Sequence, residues 1–168
     1  MKGKRIALQA VLAAVALGIY VLEAQIPASP IPGIKLGLAN IVTLFTLFVM
    51  GRREALEILA VRIFLGAVCS GHFASVFYSA AGGLLSWLTA AGLRNALEKN
   101  QLWICGLLCA IAHCLGQMIV AVLVSGTQGT LIFLPVMVIC AVFTGLFTGL
   151  CAQVLVNRGE KLWKTFLN

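Results

Sequence analysis

The sequence predicts an all-α membrane protein: six transmembrane helices in one compact bundle, with both termini cytoplasmic. Three observations carry that expectation. Of the 168 residues, 61% are hydrophobic and 10% charged, whereas a soluble domain has about 45–50% apolar and about 25% charged residues. The mean hydropathy is +1.06. The apolar residues fall in runs close to the roughly 20 residues with which an α-helix crosses about 30 Å of hydrocarbon, and the cations collect in the short polar stretches between them.

Taken in order, the spans are expected at about 6–26, 34–50, 55–70, 73–93, 102–124 and 130–156 within a single membrane domain, followed by a basic cytoplasmic tail at 157–168. The first begins after Lys2-Gly3-Lys4-Arg5. Its apolar run is too long for a signal-peptide core, and Glu23 and Gln25 make no small-residue cleavage site, so it is read as a retained helix. Pro27, Pro30 and Pro32 then forbid helix, because each removes a donor and fixes φ. Gly51-Arg52-Arg53-Glu54 is a polar turn before the third span, which holds Arg62 and is the least apolar of the six. Ser70-Gly71-His72, the polar stretch Arg94–Gln101 and Ser125-Gly126-Thr127-Gln128-Gly129 separate the rest. In the tail, Leu162, Trp163 and Phe166 form the apolar side of an amphipathic segment suited to a membrane surface.

Threading six spans from a cytoplasmic N-terminus puts Lys2, Lys4, Arg5, Arg52, Arg53, Arg94, Lys99, Arg158, Lys161 and Lys164 on the inner side, ten of the twelve cations. The outer loops hold none, and Lys35 and Arg62 lie in or beside spans. This is the positive-inside pattern. It also accounts for the net charge of +7 without nucleic acid, since the cations form no continuous basic stripe. The six cysteines, at 69, 105, 109, 114, 140 and 151, lie in or at the edges of apolar spans and read as small buried hydrophobes, not as a disulfide framework. Cys105, Cys109 and Cys114 with His113 do not read as a metal site, because Cys114 points away from the face that Cys105 and Cys109 share. No metal or other cofactor is expected.

An ionisable group inside a span costs at least ~2.5–3.5 kcal/mol, so each is a functional candidate. Glu23 ends the first span, Lys35 begins the second, Arg62 is central in the third, and His113 and Gln117 share one face of the fifth. Asn40, with Thr43 on its face, lies about two turns into the second span, and His72 sits at the end of the third. Glu23, Lys35, Asn40, Arg62, His113 and Gln117 are the expected substrate-binding set, lining an outward pocket for a small polar or anionic solute. Plainer roles stay open: a Glu23–Lys35 pair or snorkelling, Arg62 as a structural counter-ion, and a His113–Gln117 bridge between helices. Small residues recur at four-residue spacing: Ala10, Ala14 and Gly18 on the first span, Ala141, Gly145 and Gly149 on the sixth, with Ala81-Gly82-Gly83 on the fourth. Such rows let another helix approach, from the same chain or from a partner. The sequence has no aspartate, no phosphate-binding Gly-rich loop and no nucleophile–base–acid set, so it is expected not to be an enzyme.

Pro32-Gly33-Ile34-Lys35-Leu36-Gly37-Leu38-Ala39-Asn40, the Ala-rich first span ending in Glu23, and Ala112-His113-Cys114-Leu115-Gly116-Gln117 resemble the Gx transporter family, also labelled heptaprenyl diphosphate synthase component I. That family is similar in size and layout to the substrate-binding S components of energy-coupling factor transporters. The resemblance implies a multi-pass subunit of the bacterial plasma membrane that takes up a micronutrient. It would work with a membrane coupling subunit and two ATPases, docking through Ala10, Ala14 and Gly18. Two other readings remain: a membrane accessory subunit of heptaprenyl diphosphate synthesis, and a stand-alone ion-coupled carrier.

Overall fold

Long runs of Ala, Leu, Val and Ile with breakers only between them become helices, and the breakers set their ends. The computed structural model describes residues 2–23, 25, 35–70 and 74–167. The proline-bearing connection, His72 and the side chains of Leu162, Trp163 and Phe166 lie outside the described residues. The described residues contain six α-helices and no strand: α1 Lys2–Glu23, α2 Asn40–Val49, α3 Arg52–Ser70, α4 Ala74–Leu93, α5 Leu102–Ser125 and α6 Leu134–Leu167. Short 3-10 turns at Lys99–Gln101 and Gln128–Phe133 precede α5 and α6. α5 stops where Gly126 takes a left-handed φ of 64° and its N–H closes on the Val122 carbonyl.

Four helical stretches are long and apolar enough to cross a membrane: Gly3–Glu23, Ser75–Leu93, Leu102–Ser125 and Gln128–Gly159. α3 has the length, at 19 residues, but carries Arg52, Arg53, Glu54, Glu57 and Arg62. α2 has 10 residues, about 15 Å of helix and half a hydrocarbon core. The second span therefore needs correction. Helix is expected from 34, but Lys35–Gly37 is not helical and helix begins only at Asn40. The cause is local: Gly37 adopts φ 83°, which cannot continue a right-handed helix. The backbone at 157–167 continues α6, whose run Glu160-Lys161-Leu162 contains good helix formers.

α5 lies between α4 and α6, and both crossings are backbone against backbone. A Cβ placed on Gly116 would lie 2.6 Å from the Ala81 carbonyl oxygen and 2.8 Å from the Gly82 nitrogen. One on Gly145 would lie 2.8 Å from the Leu107 Cα, and one on Gly149 2.8 Å from the Trp103 Cα. Two of the small-residue rows are thus consumed inside the chain. α2 runs against this three-helix slab, with Leu44, Phe45 and Leu47 packed on Leu102, Cys105 and Ala152. α1 and α3 complete the bundle, joined where Ala16 packs with Val42 and Ile58.

The outside is apolar. Ile132, Leu123 and Phe143 are 76%, 74% and 70% exposed, and each such side chain left in water forgoes about 1.5–3 kcal/mol of burial. Lipid removes that penalty. Polar links gather at one end of the bundle. Arg5 pairs with Glu54 at 3.3 Å, Gln9 donates to Glu57 at 3.1 Å, and Asn157 donates to Asn100 at 2.9 Å. Arg52 donates twice to the Ala91 carbonyl, at 2.8 and 3.1 Å, where the last carbonyls of α4 lack helical partners. The basic flanks of α1, α3, α4 and α6 are thereby held on a common side.

Candidate functional site

Away from that basic end, polar side chains from five elements meet inside the bundle. Arg62, in the middle of α3, is only 2% exposed, and its Nη2 donates to Asn40 Oδ1 at 3.3 Å. Asn40 opens α2, and its Nδ2 lies 3.2 Å from His113 Nδ1. One turn further along α5, Gln117 is fully buried. With its amide turned so that the nitrogen faces the Lys35 carbonyl, Gln117 accepts from His113 Nε2 at 3.2 Å and from the Lys35 N–H at 3.1 Å, and donates to the Lys35 carbonyl at 2.9 Å.

The donor and acceptor roles are then set along the whole chain. A guanidinium only donates, so Asn40 Oδ1 accepts and its amide nitrogen donates. His113 takes that bond at Nδ1 and carries its proton on Nε2, toward Gln117. The direction runs from Arg62 through Asn40, His113 and Gln117 to the backbone of Lys35. The bonds that link the members are consistent with one orientation only, which gives a defined arrangement rather than a set of interchangeable pairs.

The same network explains how non-helical backbone is tolerated inside an apolar bundle, where unpaired N–H and C=O groups are costly. Gln117 takes both polar groups of Lys35, and the Glu23 carboxylate accepts the Gly37 N–H. Glu23 is buried at the end of α1 and faces the charges of Arg62 and Lys35 without touching either; the two ion pairs among the described residues, Arg5–Glu54 and Arg53–Glu57, are both at the basic end. Lys35 Nζ sits 3.3 Å from the centre of the Tyr20 ring. The Tyr20 hydroxyl in turn pairs with Ser79 Oγ of α4 at 3.1 Å.

Tyr20, Glu23, Lys35, Asn40, Arg62 and His113 line one cavity together with Gly37, Ala39 and Ser79. Its free space is about 10 Å³, room for about one water. Five of the six residues expected to bind solute are in its wall. Gln117 stands behind them and holds Lys35 and His113 in place. A second cavity of about 10 Å³ shares Gly37 and Asn40 and continues along Leu36, Thr43, Leu44 and Ser86.

Tyr20, Ser79, Gly37 and Gly66 belong to the site but were not among the expected residues. Two of them carried a signal. Tyr20 precedes Glu23 by three residues and Gly66 follows Arg62 by four, so each shares a helix face with an ionisable group. The Gly66 Cβ position is occupied by the Tyr20 ring, which is how α1 and α3 come close enough for Glu23 and Arg62 to share one cavity. Among the cysteines, Cys105 and Cys109 approach to 3.9 Å, while His113 is committed to Asn40 and Gln117.

Ala10, Ala14 and Gly18 are exposed on α1, on the side opposite Leu8, Ala16 and Tyr20. A Cβ on Gly18 would meet nothing within 4 Å. Unlike the rows on α4 and α6, this one has no neighbour among the described residues.

The family profile described as heptaprenyl diphosphate synthase component I matches residues 12–155, most of the chain. The chain belongs to this family. The match takes in the whole polar cluster together with Ala14 and Gly18, and begins just after Ala10. No curated protein and no solved structure matches the chain. Membership in the family agrees with an all-helical chain bearing several membrane-length helices, and the family's description as a component fits a protein that works with other subunits.

Proposed function

We propose that the chain is the solute-binding membrane subunit of an importer of the energy-coupling factor type, taking up a small micronutrient or metabolite. The observation that carries this reading is the buried Arg62 and Glu23 and the half-buried Lys35 around one cavity, beside a directed hydrogen-bond chain in a bundle with an apolar outside. Charges in such a place are costly and mark a solute or ion path more readily than a structural role. In this reading the chain crosses the bacterial plasma membrane six times, α2 with its non-helical lead serving as one crossing, and both termini are cytoplasmic. The cluster then faces the outer half of the bilayer, and release of Lys35–Gly37 from Glu23 and Gln117 opens the cavity.

The open face of α1 is the second support. Ala10, Ala14 and Gly18 would receive a membrane coupling subunit, which transmits the work of two ATPase subunits. The chain itself does no chemistry. The test is reconstitution of the purified chain in liposomes with and without candidate coupling and ATPase subunits. Solute uptake that requires ATP and the partners supports the proposal, and uptake by the chain alone, driven by an ion gradient, sinks it.

The family's description favours a second reading, an accessory subunit of heptaprenyl diphosphate synthesis. It predicts stable co-purification with a prenyl synthase and a change in product length. Co-purification with an ATPase complex and no effect on prenyl chain length would eliminate it.

A further inference from the structure

Two cationic donors of the site have unmet hydrogen-bonding capacity. Among the described residues, Lys35 Nζ and Arg62 Nε are buried without a hydrogen-bond partner, although both belong to residues in the wall of the same cavity. Among the described residues none supplies the missing acceptor. The Glu23 carboxylate is engaged by the Gly37 N–H, and Asn40 Oδ1 already takes the Nη2 of Arg62. A buried cation lacking its acceptor is strongly disfavoured, so this arrangement calls for an acceptor from outside the chain.

From this pair of orphaned donors, we infer that the solute is a monocarboxylate whose two oxygens are received by Arg62 Nε and Lys35 Nζ. The inference rests on the solute-binding reading above and names its substrate class. Charge selects a monoanion: Glu23, Lys35 and Arg62 sum to +1, which a single carboxylate neutralises, whereas a phosphate monoester of charge about −2 would leave a buried excess of negative charge beside Glu23. Geometry selects a planar, two-oxygen group, because a guanidinium edge and an ammonium each require an oxygen of their own.

The second cavity describes the rest of the molecule. It shares Gly37 and Asn40 with the first, and Leu36, Leu44, Ala90 and Ala110 line it beside the hydroxyl residues Thr43, Ser86, Thr144 and Thr148, of which Thr144 and Thr148 are bonded to helix carbonyls. Its one unmet polar group is the buried Thr43 Oγ1. The solute body is therefore small and mainly apolar, with one polar group within reach of Thr43.

The experiment is thermal unfolding of the full chain in detergent with sodium formate, acetate, chloride or phosphate or methylammonium chloride, at 100 mM and matched ionic strength. Wild type is compared with Lys35→Met, and the difference between them cancels general salt effects on stability. Formate and acetate should raise the wild-type Tm by about 3 °C more than that of Lys35→Met, a shift of the size expected for a ligand near ten times its Kd. Chloride, phosphate and methylammonium should give no such difference. Arg62→Gln should behave as Lys35→Met does, and if it fails to fold, Lys35→Met decides alone. A larger difference with phosphate or methylammonium, or none with the carboxylates, overturns the inference. Failure of the importer reading would show as missing partner-dependent uptake and would leave these shifts unchanged.

Discussion

The rows of small residues on α4–α6 and on α1 look alike in sequence and behave as opposites in the fold. Gly116, Gly145 and Gly149 have no space at Cβ because neighbouring backbones fill it, whereas Gly18 has nothing within 4 Å and Ala10 and Ala14 are exposed. Small-x-x-x-small spacing therefore marks a face that a helix can approach closely, and does not say whether the approaching helix is in the chain. In α4–α6 it is. On α1 the place is vacant, next to a helix that also delivers Tyr20 and Glu23 to the polar site.

Substitutions that add volume separate the two kinds of row. The largest effect is expected for Gly116→Leu, where even a Cβ meets the Ala81 carbonyl. Overpacking of this kind costs about 3 kcal/mol or more, and the variant should lose its monodisperse peak in size-exclusion chromatography. If Gly116→Leu unfolds at the wild-type temperature, the α4–α5 crossing is not the close contact described. Gln117→Leu comes next. It adds no volume but strips the Lys35 backbone and His113 of their partners, for a loss of about 1–3 kcal/mol, readable as a lower Tm and faster amide exchange at Lys35. Exchange at Lys35 that stays as slow as in wild type would show that Gln117 is not its partner.

Gly37→Ala probes the junction between the halves. The left-handed φ costs a non-glycine residue about 1–2 kcal/mol, and the new methyl would come within 3.0 Å of Asn40 Nδ2 and 3.1 Å of the His113 ring. A moderate drop in stability with weakened solute binding is expected, and the α1 face should be untouched. Gly18→Leu should have the smallest effect on the isolated chain, within about 0.5 kcal/mol, while abolishing association with a coupling partner in a pull-down. Should Gly18→Leu destabilise the isolated chain as Gly116→Leu does, the α1 row has a partner within the chain and the comparison collapses.

Much of the architecture could be read directly. Apolar run length and the position of breakers marked α1, α4, α5 and α6, because a helix in lipid satisfies its own backbone and needs little else. The second span could not be read in this way. The apolar run Ile34–Met50 does not reveal that Lys35–Gly37 is outside the helix. The break occurs at the left-handed Gly37, and it is held by bonds from Glu23 to Gly37, 14 residues away, and from Gln117 to Lys35, 82 residues away. The site shows the same division. Ionisable residues in apolar surroundings identified Glu23, Lys35, Arg62 and His113 individually. Tyr20 and Ser79 looked like ordinary helix residues until the fold placed one under Lys35 and the other against the tyrosine hydroxyl.

By itself, the sequence determined that this protein is helical, that its outside is hydrocarbon-like and that its few internal charges are exceptional, because hydropathy, run length and charge placement are sums over local residues. Which small faces are filled and which stay vacant, where α2 begins, and how Arg62 connects through Asn40, His113 and Gln117 to Lys35 were decided only in three dimensions. Those features depend on donors and acceptors brought together from distant positions, and hydrogen bonding is directional where hydrophobic burial is not.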